Sequence, residues 1–265
     1  MFDYILSCKI TNFSLSVQIK NPIPSHKMTR NEILGRVSCF FLPLSAFFRN
    51  FALLSLLHFV GKMDELQTLS NLVQAEANAI ATLPVTPRYS EALDLIQEQV
   101  CRKGGKLVAS GMGKAGQIAF NIASTLASTG IPAVCINSAE AQHGDLGVLQ
   151  PNDVLLLISN SGRTDEILRL YELARMLYPG MRAIVITAGA HCPLAAMPDV
   201  IGLYTGNPDE VCPLGLTPTT SITAMTVIGH MLIVGMMLRD GFTREQYAMR
   251  HRGGSLGEKL RGEQL

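Results

Sequence analysis

Two short loops rich in glycine and serine carry the strongest chemical signal in this chain of 265 residues. The first runs from Ser110 to Gly116 (Ser-Gly-Met-Gly-Lys-Ala-Gly), and the second from Ser159 to Thr164 (Ser-Asn-Ser-Gly-Arg-Thr). Each follows an apolar run and opens a helical pattern, so backbone N–H groups and the positive end of a helix dipole meet there. This pattern predicts a two-walled site for a phosphorylated small molecule. The expected donors come from Ser110, Gly113, Ser159, Asn160, Ser161 and Thr164.

Five titratable residues near these loops could move protons or stabilise charge in such a ligand. Lys114 lies inside the first loop, and because a cation at a helix start opposes the dipole, a role towards the ligand is favoured. Glu166 lies in the first turn after the second loop, where the dipole also favours a purely structural acid. Glu210, His143 and His251 fall in polar segments and could be surface residues or could reach the same crevice.

The first loop also satisfies the G-x-G-x-x-G fingerprint of dinucleotide-binding proteins, through Gly111, Gly113 and Gly116. That fingerprint requires an acid at the end of the second strand for the ribose hydroxyls. Here the second strand ends in Asn137, and Glu140 comes three positions late. A dinucleotide also leaves the second loop unexplained, so a dehydrogenase is the least favoured interpretation.

Short β-type runs alternate with helical runs between residues 106 and 204, after two helices over residues 66 to 81 and 90 to 102. Such alternation predicts an α/β fold: a doubly wound, flavodoxin-like parallel sheet of five strands flanked by helices. Ligands of such sheets bind at the carboxyl ends of the strands, where both loops fall. The predicted strands cover residues 106–110, 132–136, 154–159, 183–187 and 200–204.

A long helix is expected over residues 219 to 238, nearly free of charge and rich in methionine. A helix that is apolar all round is buried, and we expect a second subunit rather than lipid to cover it.

Composition places limits on partners and compartment. The six cysteines are spread along the chain without a C-x-x-C pair, which is typical of reduced thiols in a cytoplasmic protein. From residue 63 onward, fifteen Lys or Arg face nineteen acids, a net charge of −4. A mildly acidic globular part argues against nucleic acid as the partner.

Residues 1 to 62 differ from the rest, with seven Lys or Arg, two acids and only two glycines. We expect a leader that is disordered or non-native, with the functional domain covering residues 63 to 265. The alternative is a membrane anchor over residues 39 to 60, which Pro43 and Arg49 weaken.

From about residue 66 onward the chain resembles the D-arabinose 5-phosphate isomerase family, whose catalytic part is a sugar isomerase (SIS) domain. Besides the two loops, four stretches carry the resemblance: Ala127 to Gly130 (Ala-Ser-Thr-Gly), Glu140 to Gly147 (Glu-Ala-Gln-His-Gly-Asp-Leu-Gly), Cys212 to Thr219 (Cys-Pro-Leu-Gly-Leu-Thr-Pro-Thr) and His251 to Gly257 (His-Arg-Gly-Gly-Ser-Leu-Gly). The Ser-Asn-Ser-Gly loop alone would indicate only a phosphosugar-binding SIS domain.

The resemblance implies reversible conversion of D-ribulose 5-phosphate to D-arabinose 5-phosphate, a precursor of the lipopolysaccharide sugar Kdo. It places the catalytic residues on Lys114, Glu166, Glu210 and His251, the histidine crossing a subunit interface of a homotetramer. Such a reaction needs a base that moves a proton between two carbons through an enediol, a shuttle for hydroxyl protons and a stabilising cation. Either glutamate could be the carbon base. No cofactor is implied.

Three departures from the family pattern alter these expectations. Asn137 stands where the family commonly has histidine, and since His143 alone cannot hold zinc, no metal is expected. Arg163 replaces a small or acidic residue, which adds positive charge beside the phosphate, and Arg252 replaces proline. The paired CBS domains that often follow are absent, which implies a short form of the enzyme.

The alternative from another class is a non-catalytic, phosphosugar-binding SIS module of a regulator. The joint presence of Lys114, Glu166, Glu210 and His251 favours the enzyme.

Overall fold

The computed structural model describes residues 5–10, 13–18 and 65–253 of the chain. It divides into two compact units, Met1–Gln67 and Thr68–Leu265. In the first unit, β1 (Ile5–Ile10) pairs antiparallel with β2 (Phe13–Gln18). The rest of the expected leader, including the candidate anchor over residues 39 to 60, lies outside the described residues, so the assignment of residues 1 to 62 as a leader stays a prediction.

Two helices precede the sheet of the second unit, as predicted. Helix α1 covers residues 65–81, and α2 covers Arg88–Ile96 before widening into a π-helical turn over Gln97–Arg102. The buried side of α2 is apolar and packs into the core, which explains its amphipathic sequence.

Five parallel strands form the sheet, in the spatial order β4, β3, β5, β6, β7. Relative to their order along the chain this is 2-1-3-4-5, the flavodoxin-like arrangement. The predicted fold class is therefore confirmed. The strand bounds are β3 Leu107–Gly111, β4 Ala133–Cys135, β5 Val154–Ile158, β6 Arg182–Thr187 and β7 Val200–Tyr204.

Helices cover both faces of the sheet: α3 (Lys114–Ser128), α4 (Asp165–Leu177) and α5 (Thr220–Arg239), with a short C-terminal helix, α6 (Arg244–Arg250). Strand side chains alternate between two cores. Leu156 of β5 packs with α2, α3 and α5, and its neighbours Leu155 and Leu157 pack on the opposite face with α4. All five residues of β5 are buried, as expected for the central strand of a doubly wound sheet.

By length and composition, α5 is the one helix among the described residues that could cross a membrane. In this fold it packs against α3, and Ala224, Ile228 and Leu232 are fully buried in the core. Val234 and Leu238 remain exposed on its outer side. Part of the apolar surface of α5 is thus covered by its own chain, whereas the sequence predicted cover from another subunit.

Candidate active site

The two glycine- and serine-rich loops lie side by side at the carboxyl edge of the sheet. The first follows β3 and the second follows β5, and these strands are direct neighbours. The chain reverses its winding direction between them, since β4 lies beyond β3 on one side and β6 beyond β5 on the other. Such a switch point opens a crevice between the two loops, which is where ligands of open α/β sheets bind.

Close backbone packing shapes the first loop. A Cβ on Gly111 would lie 2.6 Å from the carbonyl carbon of Ala115, so only glycine lets the end of β3 meet the first turn of α3. Gly113 has a φ of +56° immediately before that helix. Lys114, the first residue of α3, is exposed and forms no salt bridge with any residue in the described part of the chain. Its ammonium group is therefore free to meet an anion.

Ser110 does not fit the predicted phosphate contact. Its side chain is fully buried, and its hydroxyl donates to the backbone carbonyl of Ile136, 2.9 Å away. This bond ties β3 to the end of β4 and uses the one hydroxyl hydrogen that Ser110 has. The structure therefore gives Ser110 a role in holding the loop rather than in binding an anion.

A network of hydroxyl groups shapes the second loop. The Ser159 and Thr164 hydroxyl oxygens lie 2.8 Å apart, and Ser159 Oγ also accepts the N–H of Gly162 at 3.1 Å. Ser161 is exposed, and its Oγ accepts the N–H of Arg163 at 3.2 Å, while its hydroxyl hydrogen meets no acceptor among residues 65 to 253. Since only one hydrogen is needed between Ser159 and Thr164, the loop retains two hydroxyl hydrogens for a bound anion, beside the N-terminus of α4.

Gly162 is required where this loop approaches the segment before β7. Its φ is +59°, and a Cβ at this position would overlap the Cys192 side chain. The Gly162 carbonyl also accepts the N–H of Leu194 at 3.0 Å. The loop is thus packed against, and hydrogen-bonded to, the segment before β7.

Asn160 carries an unsatisfied polar atom in the second loop. Its backbone carbonyl accepts the N–H of Ala188 at 2.9 Å, whereas its side-chain Oδ1 is buried without a hydrogen-bond partner in the described part of the protein. A buried acceptor without a partner costs free energy. A ligand hydroxyl donating to Oδ1 would remove that cost.

The two candidate glutamates have different environments. Glu166 lies in the first turn of α4, half-buried, and its carboxylate has no hydrogen bond or salt bridge to any residue between 65 and 253.

The Glu210 carboxylate is held at the N-terminus of α5. Its Oε2 accepts the N–H groups of Thr219 (2.7 Å) and Thr220 (2.9 Å) and the Thr219 hydroxyl, and its Oε1 accepts the N–H and hydroxyl of Ser221. Both Glu210 oxygens are therefore engaged.

These bonds alter the charge behaviour of Glu210. Partial burial alone would raise the pKa of this carboxyl, but the hydrogen bonds from the start of α5 outweigh it and lower the pKa below the ordinary glutamate value. An ionised carboxylate at a helix N-terminus also complements the helix dipole. Glu210 is thus an anchored anion and a weak base.

Replacing Glu210 by glutamine should lower the stability of the domain at neutral pH. We expect a loss of about 1 to 2 kcal/mol, as for a lost helix cap, or about 2 to 8 °C in Tm. Because the folded-state pKa is lowered, this stabilisation is present above the ordinary glutamate pKa and disappears as pH falls through the lowered one. The difference in Tm between wild type and Glu210→Gln should therefore shrink below about pH 4. Asp209→Asn, at an exposed neighbour, is the control, and an equal shift there would contradict the capping role.

The segment after β4 places His143 in an exposed helical turn, Glu140–His143. Asn137, which precedes it, uses its Oδ1 to accept the N–H of Ala139 at 3.0 Å, so it shapes the turn. Among residues 65 to 253, no three His, Cys, Asp or Glu side chains are grouped as ligands of one metal ion.

His251 follows α6 and is half-buried. Its imidazole stacks on the Tyr247 ring, with centroids 3.8 Å apart and 17° between the planes. Its Nδ1 lies 3.0 Å from the Tyr247 carbonyl oxygen. Tyr247 was not among the residues predicted for the site, although an aromatic residue four positions before a histidine in a helical stretch would have indicated the contact.

The position of α6 separates His251 from the loops of its own chain. The Arg250 guanidinium lies against Gly130, where a Cβ would be 3.0 Å from it. Gly130 precedes β4, so this contact is at the amino edge of the sheet, opposite the loops. A strand of five residues spans about 17 Å between the two edges. The structure thus brings the two loops, Lys114 and Glu166 together at one edge, and places the helix before His251 at the other.

Cys212 is a second residue whose setting the sequence did not reveal. Its sulfur accepts the N–H groups of Thr217 at 3.1 Å and Leu216 at 3.2 Å. Hydrogen bonds from Thr217 and then from Leu216 lower the pKa of this thiol to about 7. The sulfur closes the loop that leads to α5.

A flavodoxin-like sheet with two donor-rich loops at its switch point defines a class of α/β domains that bind a ligand at the carboxyl edge of the sheet. A family model for the SIS domain matches residues 100–235, and the chain belongs to that family.

Relatives share both sequence and structure with this domain. The arabinose 5-phosphate isomerase KdsD of Yersinia pestis is 40% identical over 200 residues, covering 75% of this chain and 59% of the relative. KdsD of Salmonella typhimurium is 44% identical over 197 residues, covering 74% and 58%. The chain thus spans less than two thirds of the length of these relatives.

Two solved structures are similar over almost their whole length. A candidate phosphosugar isomerase involved in capsule formation, from Bacteroides fragilis, is 57% identical, with a TM-score of 0.70, covering 72% of this chain and 98% of the other. A protein of Escherichia coli CFT073 in complex with arabinose 5-phosphate is 32% identical, with a TM-score of 0.65, covering 71% and 98%.

Proposed function

We propose that this protein is an aldose-ketose isomerase that interconverts D-ribulose 5-phosphate and D-arabinose 5-phosphate. The observation that carries the proposal is the crevice between two donor-rich loops, with the cation Lys114 on one wall and, on the other, the Glu166 carboxylate, which has no partner among the described residues. The names of the KdsD relatives and the sugar phosphate bound to the Escherichia coli protein support arabinose 5-phosphate as the sugar.

The substrate phosphate binds the second loop. It accepts hydrogen bonds from Ser161, from the Ser159 and Thr164 pair and from the first turn of α4, and Asn160 Oδ1 accepts from a sugar hydroxyl.

Glu166 is the carbon base. Its carboxylate removes the proton from one of the two reacting carbons, forming a cis-enediolate, and returns it to the other. Lys114 stabilises the negative charge that develops on the oxygen. Glu210 is less suited to this step, because its lone pairs are already engaged and its pKa is lowered. It contributes by fixing the start of α5 and the loop before it.

His251 comes from a second subunit and serves in ring opening or in the shuttling of hydroxyl protons. The support for this is the location of α6 at the amino edge of the sheet, away from the loops of the same chain. The exposed apolar side chains of α5 provide surface for assembly, and we propose a homotetramer in the cytoplasm.

One assay tests the proposed function. The purified protein is incubated with ribulose 5-phosphate, and the products are separated and identified, with ribose, glucose and fructose phosphates as control substrates. Formation of arabinose 5-phosphate is the expected result. Binding of these sugar phosphates without turnover would overturn the proposal and indicate a regulatory SIS module instead.

Ser161→Ala should weaken phosphate binding. A hydroxyl that donates to a charged group contributes about 1.5 to 3 kcal/mol, so we expect KM for ribulose 5-phosphate to rise about tenfold to a hundredfold. The turnover number should change much less, because the phosphate is remote from the reacting carbons. Ser124→Ala, at an exposed position on α3, is the control. An unchanged KM in Ser161→Ala would place the phosphate elsewhere.

A further inference from the structure

The C-terminal arm, residues 242 to 251, holds three aromatic rings in a row. Phe242 meets Tyr247 edge to face, with centroids 6.2 Å apart and 84° between the planes, and Tyr247 stacks on His251. The Arg250 guanidinium lies over the Phe242 ring at 5.6 Å. A helix of seven residues is not stable by itself, so such contacts decide its conformation.

A capping box fixes the start of the same helix. The Thr243 hydroxyl accepts the N–H of Gln246 at 3.2 Å, and the Gln246 side chain accepts the N–H of Thr243 at 2.9 Å. Tyr247 follows directly, so its ring and carbonyl are set by the first turn. The conformation of the arm therefore places Tyr247 against His251.

Tyr247 constrains His251 in two ways. The ring stack sets the plane of the imidazole, and the hydrogen bond to the Tyr247 backbone carbonyl determines which ring nitrogen carries the hydrogen. A carbonyl oxygen only accepts hydrogen bonds, so Nδ1 must carry the hydrogen. In the neutral imidazole the free lone pair is then on Nε2, which faces away from the Tyr247 carbonyl.

We propose that Tyr247 is a positioning residue for the proton transfers of His251: its ring holds the imidazole by stacking, and so keeps Nδ1 beside the backbone carbonyl that selects the Nδ1–H tautomer. The inference rests on the proposed isomerase function, in which His251 enters the site of a second subunit. Tyr247 itself touches no reacting atom. It presents Nε2 in one orientation to the substrate hydroxyl groups.

Two variants separate stacking from the phenol group. Tyr247→Leu removes the aromatic ring, and we expect kcat for ribulose 5-phosphate to fall about tenfold to a hundredfold, with KM within about threefold. Tyr247→Phe keeps the ring and should retain at least about half of wild-type kcat. Met249→Ala, at an exposed position on α6, is the matched control. A wild-type kcat in Tyr247→Leu would overturn the proposal, as would an equal loss in Tyr247→Phe.

A double variant tests whether Tyr247 acts through His251. In the His251→Ala background, Tyr247→Leu should cause no further loss of kcat, because the residue that it positions is gone. An additional loss equal to that in the wild-type background would show an independent structural role and overturn the proposal.

Nitrogen-15 NMR of histidine-labelled protein keeps the test separate from the isomerase assay. The His251 signals, identified by their absence in His251→Ala, should show the Nδ1–H tautomer in the wild type and in Tyr247→Phe. In Tyr247→Leu the backbone carbonyl remains, but the ring that keeps the imidazole beside it is gone, so a tautomer mixture is expected. An Nε2–H tautomer in the wild type would overturn the inference even if the enzyme is active. Conversely, the protein could show the Nδ1–H tautomer and yet not isomerise ribulose 5-phosphate. That result would overturn the proposed reaction, and with it the role of Tyr247 in catalysis, but not the contact between Tyr247 and His251.

Discussion

Glu166→Gln is expected to lower kcat for ribulose 5-phosphate about a hundredfold or more, the contribution of a well-placed general base. The amide cannot accept the carbon-bound proton, while its shape and the fold stay the same. KM should change less than about threefold, because the phosphate is bound by the loop before α4 and not by this side chain. Steady-state kinetics measures both quantities.

Isotope exchange identifies the step that is lost. With substrate deuterated at the reacting carbon, the wild type should release deuterium to solvent or transfer it during turnover, and Glu166→Gln should do neither. Asp165→Asn removes a charge from the same helical turn at an exposed position, so its kcat should stay within about twofold. If Glu166→Gln still exchanges deuterium normally and Glu210→Gln does not, then Glu210 and not Glu166 is the carbon base.

His251→Ala is also expected to lower kcat about a hundredfold or more. Mixing its subunits with those of a second variant should recover part of the lost activity. Chains carrying His251→Ala and chains carrying Lys114→Ala are each inactive alone. Random mixing of equal amounts should restore about a quarter of the wild-type sites, since such a site needs its lysine from one kind of chain and its histidine from the other.

A second mixture is the control for this experiment. Lys114 and Glu166 flank one crevice of one chain, so mixing Lys114→Ala with Glu166→Gln should restore no activity. Mixing Glu166→Gln with His251→Ala should restore as much as the first pair. If no mixture regains activity, His251 acts within its own chain or not at all, and the proposed assembly of the site is wrong.

Local patterns were sufficient for the fold and for the position of the crevice. The apolar run from Val154 to Ile158 predicts a strand buried on both faces, because a doubly wound sheet leaves no polar face. Glycine and serine at the ends of that strand and of its neighbour predict helix N-termini beside an anion, because those residue types allow close approach and donate hydrogen bonds. Such signals are short-range, so a single sequence contains them.

Tertiary structure decided which candidate groups remain free for chemistry. Ser110 and Glu210 are polar residues beside the predicted site. However, the Ser110 hydroxyl donates to the Ile136 carbonyl, and the Glu210 carboxylate accepts hydrogen bonds from the start of α5. The partner of Ser110 lies 26 residues away along the chain, and those of Glu210 lie nine to eleven residues away, so no local sequence pattern predicts these contacts. The Glu166 carboxylate lacks such partners among the described residues, and it is therefore the glutamate left available as a base.

The position of His251 relative to the two loops also depends on contacts that form only in the folded chain. The sequence by itself determined the flavodoxin-like sheet, the two loops at its switch point and the residue types available for acid-base chemistry, because periodicity and helix-start chemistry are local properties. Only the tertiary structure decided that α6, with the Tyr247–His251 stack at its end, lies at the amino edge of the sheet. The hydrogen-bond partners of Ser110 and Glu210 and the location of α6 depend on distances between distant parts of the chain, and those distances exist only once the chain is packed.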